Sequence, residues 1–200
     1  YKFDGFNEFL TIYENATRAL KSPEDFKRLT QSVLENLAEN NVVYAETFIS
    51  PDFCGDRDLG AWREYLAAMR EAHVEGVTLR GIVTCIRHLG PEKAREAAFC
   101  AAETAGDWVV GFGMAGAENV GRAKDYSYSF DMAREAGLRL TSHAGEWCGA
   151  ESVWETLRDL RVERIGHGVH SINDPKLVEH LAETGVALEI NPGSNVALGV

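Results

Sequence analysis

The chain repeats one unit along its length, a short apolar run rich in β-branched residues followed by an amphipathic helical stretch. The runs that we interpret as strands cover residues 42–50, 78–85, 108–113, 139–143, 164–166 and 186–190. Strands that alternate with helices pair in parallel, because each crossover helix returns the chain to the same end of the sheet. The result is either a closed (β/α)8 barrel or an open doubly wound sheet, and periodicity alone does not choose between them.

Residues that favour helix ends lie between the runs. Ser22 before Pro23 predicts a helix start, with an N-cap side chain followed by a first-turn proline, and Asp174 before Pro175 predicts another. Three glycines stand after helical stretches where a left-handed C-cap is expected, namely Gly76, Gly137 and Gly185. No linker interrupts the pattern, which predicts one domain.

The composition is that of a globular protein, with 45% hydrophobic and 26% charged residues in a chain of 200. A formal net charge of −11 argues against nucleic acid or an anionic membrane surface as a partner. The four cysteines form no CxxC pair, so reduced thiols are expected rather than a disulfide framework. No apolar run is long enough to span a bilayer. These features favour a cytoplasmic enzyme.

A histidine and a glutamate stand where the run at 139–143 ends. His143 closes the run, two small residues follow, and Glu146 comes three positions after the histidine. A neutral imidazole at a strand end is a suitable zinc ligand. A carboxylate one short turn away is placed to exchange protons with a bound substrate. A structural histidine with an N-capping glutamate would give the same pattern.

A second histidine, His167, stands between Gly166 and Gly168 at the end of the next run. Glycine at such a position lets backbone or ligand approach closely, although a packing role stays open. Segments 111–116 and 191–195 end two further runs with small or polar residues, the first being only a partial match to a phosphate-binding glycine motif. In a parallel barrel all these ends share the carboxyl face, where active sites lie.

The other histidines are weaker candidates. His73 and His180 fall in helical stretches and are predicted to be surface residues, while His170 is predicted to point away from the site. His88 follows Arg87 at the end of the run at 78–85, which places it either near the site or in a polar packing position.

Taken in order, these residues resemble the adenosine deaminase family over nearly the whole chain. Residues 142–146 are similar to its HAGE motif, and 166–168 to its GHG motif about 20 residues later. Further motifs of the family resemble residues 43–51 (VYxExRxSP), 85–88 (its third strand), 115–118 (AG-x-E) and 191–195 (CPxSN). The combination is specific because the motifs occur in the family's order.

The resemblance implies an α/β fold, a (β/α)8 TIM-type barrel of which residues 1–200 hold strands 2 to 7 as a single incomplete domain. The family's first strand with its HxH pair, and its eighth with an SDD pair, are not in this sequence, so we expect an internal part of a longer protein. A zinc ion is also implied, with His143 as one ligand and the remaining ligands outside this sequence.

For the reaction, the resemblance implies that Glu146 protonates N1 of a purine and that His167 orients the attacking hydroxide. The N–H of Gly116 would bond N3 of the ring. An apolar lid over the pocket is expected from three residues at helical spacing, Phe9, Leu10 and Tyr13. A plain core-facing helix stripe would give the same spacing.

The expected activity is zinc-dependent hydrolytic deamination of adenosine to inosine and ammonia, with a small purine nucleoside as the partner. Three residues depart from the family's pattern: Phe48 stands where the family usually has arginine, Gly113 where aspartate is common and Asn191 where cysteine is usual. These departures bear on which substrate the protein binds. The alternatives are deamination of adenine or another 6-aminopurine derivative on the same scaffold, and a catalytically silent barrel used for binding. The sequence does not indicate an oligomeric state.

Overall fold

The structure is a computed structural model that describes residues 5–200, except for the side chains of residues 6 and 7. The described residues hold six strands, which are β1 (Tyr44–Ile49), β2 (Thr78–Ile86), β3 (Val109–Ala115), β4 (Arg139–Ala144), β5 (Arg164–His167) and β6 (Ala187–Glu189). The α-helices are α1 (Phe6–Thr17), α2 (Pro23–Glu39), α3 (Leu59–Glu71), α4 (Pro91–Ala102), α5 (Ser127–Glu135), α6 (Ala150–Leu160), α7 (Pro175–Thr184) and α8 (Pro192–Leu198). Short 3-10 turns cover Arg87–Leu89, Ala123–Tyr126 and Val169–Asn173.

The predicted strands are confirmed, each within two residues of its expected bounds. They form one sheet in the order β1-β2-β3-β4-β5-β6, and every neighbouring pair is parallel. A doubly wound sheet requires the strand order to reverse at a switch point. The sequential order therefore selects the barrel of the two folds that the sequence left open.

The sheet curls until its first and fifth strands face each other. Arg164 on β5 donates a hydrogen bond of 2.7 Å to Glu46 on β1, across 118 residues of sequence. The same guanidinium forms an ion pair with Glu189 on β6, 3.0 Å away, and Glu189 also accepts a 3.0 Å hydrogen bond from Thr141 on β4. These contacts inside the curl show that the six strands are part of a (β/α)8-type barrel.

The apolar core lies between the strands and the helices packed outside them. Phe112 on β3 and Phe130 on α5 are both buried, and their ring centroids are 5.2 Å apart. Trp62 on α3 is also buried and donates a hydrogen bond of 3.1 Å from Nε1 to Thr104. The helices packed outside the sheet thus hold the strands in place, and the polar residues lie at the carboxyl ends of the strands.

The predicted helix ends are mostly confirmed. Ser22 forms a capping box with Asp25 at the start of α2, and Asp174 caps α7. Gly185 is the left-handed C-cap of α7, with φ of 71°. Gly76 has the expected left-handed conformation, with φ of +84°, but the prediction that it caps a helix was wrong, because α3 ends at Glu71 and the glycine lies in the turn before β2. None of the helices in residues 5–200 combines the length and the apolar character needed to cross a membrane.

Candidate active site

A cavity of about 280 Å³ opens at the carboxyl ends of the strands. Every residue that the sequence singled out for the site lines it: Phe9, Leu10, Tyr13, Gly116, His143, Glu146 and His167. His143 and His167 lie on the neighbouring strands β4 and β5, and their ring centroids are 5.1 Å apart. The convergence expected from the parallel topology is thus present.

His143 has one ring nitrogen occupied and the other available. Its Nδ1 lies 3.1 Å from the carbonyl oxygen of Met114 on β3. A carbonyl only accepts, so Nδ1 carries the proton and the lone pair is on Nε2. Burial, together with the nearby His167, lowers the pKa of His143 to about 4, and the imidazole is therefore neutral at pH 7.

The arrangement fits a metal ligand in two respects. A ligating imidazole must be neutral. The ring nitrogen that does not bind the metal usually donates its N–H to a carbonyl or carboxylate, as Nδ1 of His143 does to the carbonyl oxygen of Met114. Within residues 5–200 no group of three or more histidine, cysteine, aspartate or glutamate side chains is gathered to hold a metal ion. These residues therefore fit one ligand of a metal centre and not the whole ligand set.

His167 occupies an unusual backbone conformation at the end of β5. Its φ is +65°, in the left-handed region that non-glycine residues seldom adopt. Nδ1 lies 2.7 Å from the side-chain oxygen of Asn195 in α8, and Nε2 lies 3.6 Å from Oε1 of Glu146. Strained residues of this kind cluster at functional sites, where the surrounding structure fixes them.

The glycines beside His167 are explained by close approaches. A Cβ atom on Gly166 would lie 3.0 Å from Nδ1 of His143, and one on Gly168 would lie 2.8 Å from Leu188. Gly168 also has a positive φ of +66°. A side chain at Gly166 would crowd the imidazole of His143, and one at Gly168 would crowd Leu188 at a positive φ, so the glycines leave room for the two imidazoles in one cavity.

Glu146 is a buried carboxyl, 4% exposed. Burial raises its pKa, the electrostatic interaction with His167 opposes that change, and the charge of Glu118 reinforces it. The net effect is a raised pKa, and a larger share of this carboxyl stays protonated near neutral pH. A carboxyl of this kind, beside an imidazole, can act as a general acid.

Sequence reasoning did not identify Glu118 as a site residue, although it noted the motif that contains it. The side chain is 3% exposed, and its carboxylate accepts hydrogen bonds from the turn that carries Glu146. The available signal was a glutamate two residues after Gly116, in a segment of small residues where a charged side chain needs a reason to be buried.

Gly116 and His88 are in contact at the cavity wall. Gly116 has a φ of +101°, and a Cβ there would lie 2.8 Å from Nδ1 of His88. That nitrogen accepts a 3.3 Å hydrogen bond from the N–H of Ala117, and His88 lines the cavity. Of the two positions left open for His88, the structure therefore supports the one near the site.

The three predicted lid residues on α1 lie against the cavity and outside the buried core. Tyr13 is 48% exposed, and its ring packs edge-on against that of Phe53 with centroids 6.1 Å apart. Phe9 and Leu10 are half-buried. A core-facing stripe would be buried, so this position favours the first of the two interpretations of their spacing.

The remaining histidines lie elsewhere. His170 bonds Asn173, with 3.1 Å between the nitrogen atoms. His180 on α7 lies against the ring of Trp154, with centroids 4.9 Å apart. His73 is exposed, as predicted, but it follows α3 and is not in a helix.

Known proteins with the same architecture extend these observations. A family model described as adenosine deaminase matches residues 1–200. An adenine deaminase from Agrobacterium fabrum is 48% identical over 206 residues, covering 100% of this chain and 63% of that protein. The chain thus spans less than two thirds of the length of this curated relative.

Two solved structures are also similar. The adenine deaminase from Arthrobacter aurescens has a TM-score of 0.87 and 30% identity, covering 100% of this chain and 62% of that one. An amidohydrolase from Burkholderia ambifaria, solved with bound Zn, has a TM-score of 0.79 and 28% identity, covering 88% of this chain and 50% of that one. Because the family model spans the whole chain, this chain belongs to the adenosine deaminase family.

Proposed function

We propose that the protein containing this chain is a zinc-dependent hydrolase that deaminates a 6-aminopurine, with adenine as its substrate. The main support for this reaction is the position of Glu146 beside His167, with 3.6 Å between Oε1 and Nε2. The neutral imidazole of His143 lies in the same cavity. Adenosine, the substrate expected first from the resemblance, becomes the alternative, because the relative that is 48% identical is an adenine deaminase.

In this proposal His143 binds the metal through Nε2, and Met114 keeps the ring oriented through Nδ1. A zinc ion, when bound, would lower the pKa of a water ligand from about 15.7 towards about 7 and so supply hydroxide at neutral pH. The solved relative from Burkholderia ambifaria, with its bound Zn, supports this choice of metal. The other ligands are proposed to come from parts of the protein outside this sequence.

Glu146 is proposed as the general acid. Its raised pKa favours the protonated carboxyl, and transfer of that proton to N1 of the purine would make C6 more electrophilic as water adds there. Loss of ammonia from C6 then leaves the 6-oxopurine, which for adenine is hypoxanthine. The overall reaction consumes one water molecule and releases one molecule of ammonia.

His167 is proposed to orient the attacking water. Asn195 fixes the proton on Nδ1, so the lone pair of Nε2 is directed towards the side of Glu146 and can accept a hydrogen bond there. The positive φ of His167 aims the ring at this point, and the adjoining glycines leave the space for it. A fixed acceptor of this kind needs no reorganisation during the reaction.

The rest of the cavity is proposed to bind the base. The N–H of Gly116 would bond N3 of the ring, while Phe9, Leu10 and Tyr13 would cover its faces as a lid. The part of the cavity that this chain forms has a volume of about 280 Å³, just below the about 300–1,000 Å³ that ligand pockets usually have. A cytoplasmic location is part of the proposal, since all four cysteines are free thiols, the state that a reducing compartment maintains.

The test is a substrate panel on the purified full-length protein, with zinc measured by elemental analysis. Adenine, adenosine and AMP are assayed separately for ammonia release. We expect kcat/KM for adenine to exceed that for adenosine by at least about tenfold, as pocket shape alone can provide. A preference for adenosine would support the alternative substrate. Absence of ammonia release from all three, in protein that holds zinc, would indicate a catalytically silent barrel.

A further inference from the structure

We propose that Glu118 is a positioning residue, whose buried carboxylate holds the turn after β4 and thereby aims Glu146 at the substrate. This inference rests on the proposed function, because it acts through the residue to which general-acid catalysis is assigned. It concerns a side chain that lies behind the turn and whose effect is transmitted by the backbone.

The carboxylate of Glu118 accepts five hydrogen bonds. It accepts hydrogen bonds of 2.6, 3.1, 2.7 and 3.0 Å from four consecutive backbone N–H groups, those of Gly145, Glu146, Trp147 and Cys148. A fifth bond, of 2.5 Å, comes from the hydroxyl of Ser152 in α6. The four N–H groups of the turn thus all bond to one buried carboxylate, while the carbonyl oxygen of Gly145 accepts the N–H of His170 at 3.0 Å.

Such bonds are strong and directional. A carboxylate that accepts backbone N–H groups forms charge-assisted bonds, roughly twice as strong as neutral ones. An ionised carboxylate offers about four acceptor sites and no donor. Glutamine in the same place would turn an NH2 group towards N–H groups, leaving buried donors facing another donor. The charge of Glu118, not merely its shape, is therefore what the turn requires.

The position of the turn fixes the acid. Glu146 is itself one of the four residues held by Glu118, and its side chain must stay within reach of both His167 and the substrate. A displacement of about 1 Å in a reacting group can cost about 10²-fold in rate. Glu118 follows β3, whereas the turn follows β4. The contact consequently locks two neighbouring loops of the barrel mouth together.

The same carboxylate acts on Glu146 through its field. Its negative charge reinforces the effect of burial in raising the pKa of Glu146, which favours the protonated form that a general acid needs. The hydrogen bonds and the charge of Glu118 thus both favour the acid function of Glu146. Loss of Glu118 is therefore expected to lower kcat more than it weakens substrate binding.

The experiment is a double-mutant cycle in the full-length zinc-loaded protein, using Glu118→Gln, Glu146→Gln and the double variant. We expect Glu118→Gln to lower kcat by about 10- to 100-fold, with KM within about threefold and zinc content unchanged. In the Glu146→Gln background the same substitution should cause less than about a twofold further loss, because residues that act as one unit are not additive. A purely structural role for Glu118 would reduce kcat equally in both backgrounds and would overturn the proposal.

Two controls accompany the cycle. Glu163→Gln makes the same change at the opposite end of β4, where that carboxylate accepts the N–H of Leu140 at 2.9 Å, and it should leave kcat unchanged. Glu118→Asp keeps the charge but shortens the side chain, so it provides a second cycle if the glutamine variant does not fold. For Glu118→Asp we expect a smaller loss of kcat that also vanishes in the Glu146→Gln background.

Amide hydrogen exchange gives a readout that is independent of the reaction. The N–H groups of residues 145–148 should exchange at least about tenfold faster in Glu118→Gln, as expected when protecting hydrogen bonds are lost, while the amides of β2 and β3 keep their rates. Unchanged exchange at 145–148 would contradict the proposal even if activity falls. If the wild-type protein deaminates none of the purines, the proposed function fails, and the exchange rates alone still decide whether Glu118 holds the turn.

Discussion

Nδ1 of His167 lies 2.7 Å from the side-chain oxygen of Asn195, a residue 28 positions further along the chain. The oxygen can only accept, so this contact assigns the proton to Nδ1 and leaves the lone pair of Nε2 facing Glu146, 3.6 Å away. The tautomer of the histidine is thus set by a helix outside the strand that carries it.

Replacing Asn195 by alanine should therefore lower kcat/KM by about tenfold, the equivalent of about 1.4 kcal/mol and within the range for loss of a buried hydrogen bond. Steady-state kinetics of the full-length variant measures this. Asn173→Ala is the matched control, because it removes a contact to a different histidine, His170, at the surface. Equal losses in the two variants would mean that the Asn195 contact has no specific role.

His143→Ala should sharply reduce both zinc content and activity. The imidazole is neutral, and its Nε2 is free to bind a metal, so its removal deletes one of the at least three protein ligands that a zinc site needs. Zinc is measured by elemental analysis beside kcat. His170→Ala serves as the control. A His143→Ala protein with normal zinc stoichiometry would remove the residue from the ligand set.

Glu146→Gln should keep zinc and substrate binding but lose at least about 10²-fold in kcat, the lower range for a positioned general acid. The amide is nearly isosteric but delivers no proton. In the wild type the acting form is protonated, and its pKa is raised. The Glu146 contribution to kcat should therefore be full at low pH and decline as pH rises through that pKa. Near-normal turnover in the variant would assign the acid to another group.

His167→Ala should retain zinc while kcat/KM falls by the equivalent of about 2.7–4 kcal/mol, typical for loss of one preorganised polar contact. The ring orients the reacting water and is not assigned to the metal. Zinc content measured beside kcat/KM separates the two roles. Loss of zinc in proportion to activity would show that His167 is itself a ligand.

Zinc-free protein should be less stable in mild acid because of His143. Its pKa is about 4 in the folded chain, against 6.5 for an ordinary histidine, so below pH 6.5 the unfolded chain binds a proton that the folded chain excludes. This part of the stability is complete above pH 6.5 and is lost as pH falls towards 4, by about 2 kcal/mol at pH 5. Urea unfolding at pH 7.5 and pH 5 measures it, with His143→Gln as reference. Equal losses in both proteins would disprove the assignment.

The sequence by itself determined the elements and much of the site. Alternating apolar runs and helices predicted all six strands within two residues, because β-branched runs and capping residues such as Ser22 act locally. Parallel strands present their carboxyl ends on one face, and this rule predicted from the sequence that His143, Glu146 and His167 lie together. The family motifs then indicated the metal and the reaction.

The tertiary structure alone decided what depends on residues far apart in the chain. The choice between an open and a closed sheet rests on contacts such as that of Arg164 with Glu46, across 118 residues. The burial of Glu118 against the turn after β4 joins segments about 30 residues apart, so the partners of its carboxylate are decided by the tertiary structure. At Gly76 the local spacing matched a helix end, whereas α3 ends at Glu71. Protonation and tautomer also depend on the tertiary structure, because burial and hydrogen-bond partners are fixed only when the strands have curled around the site.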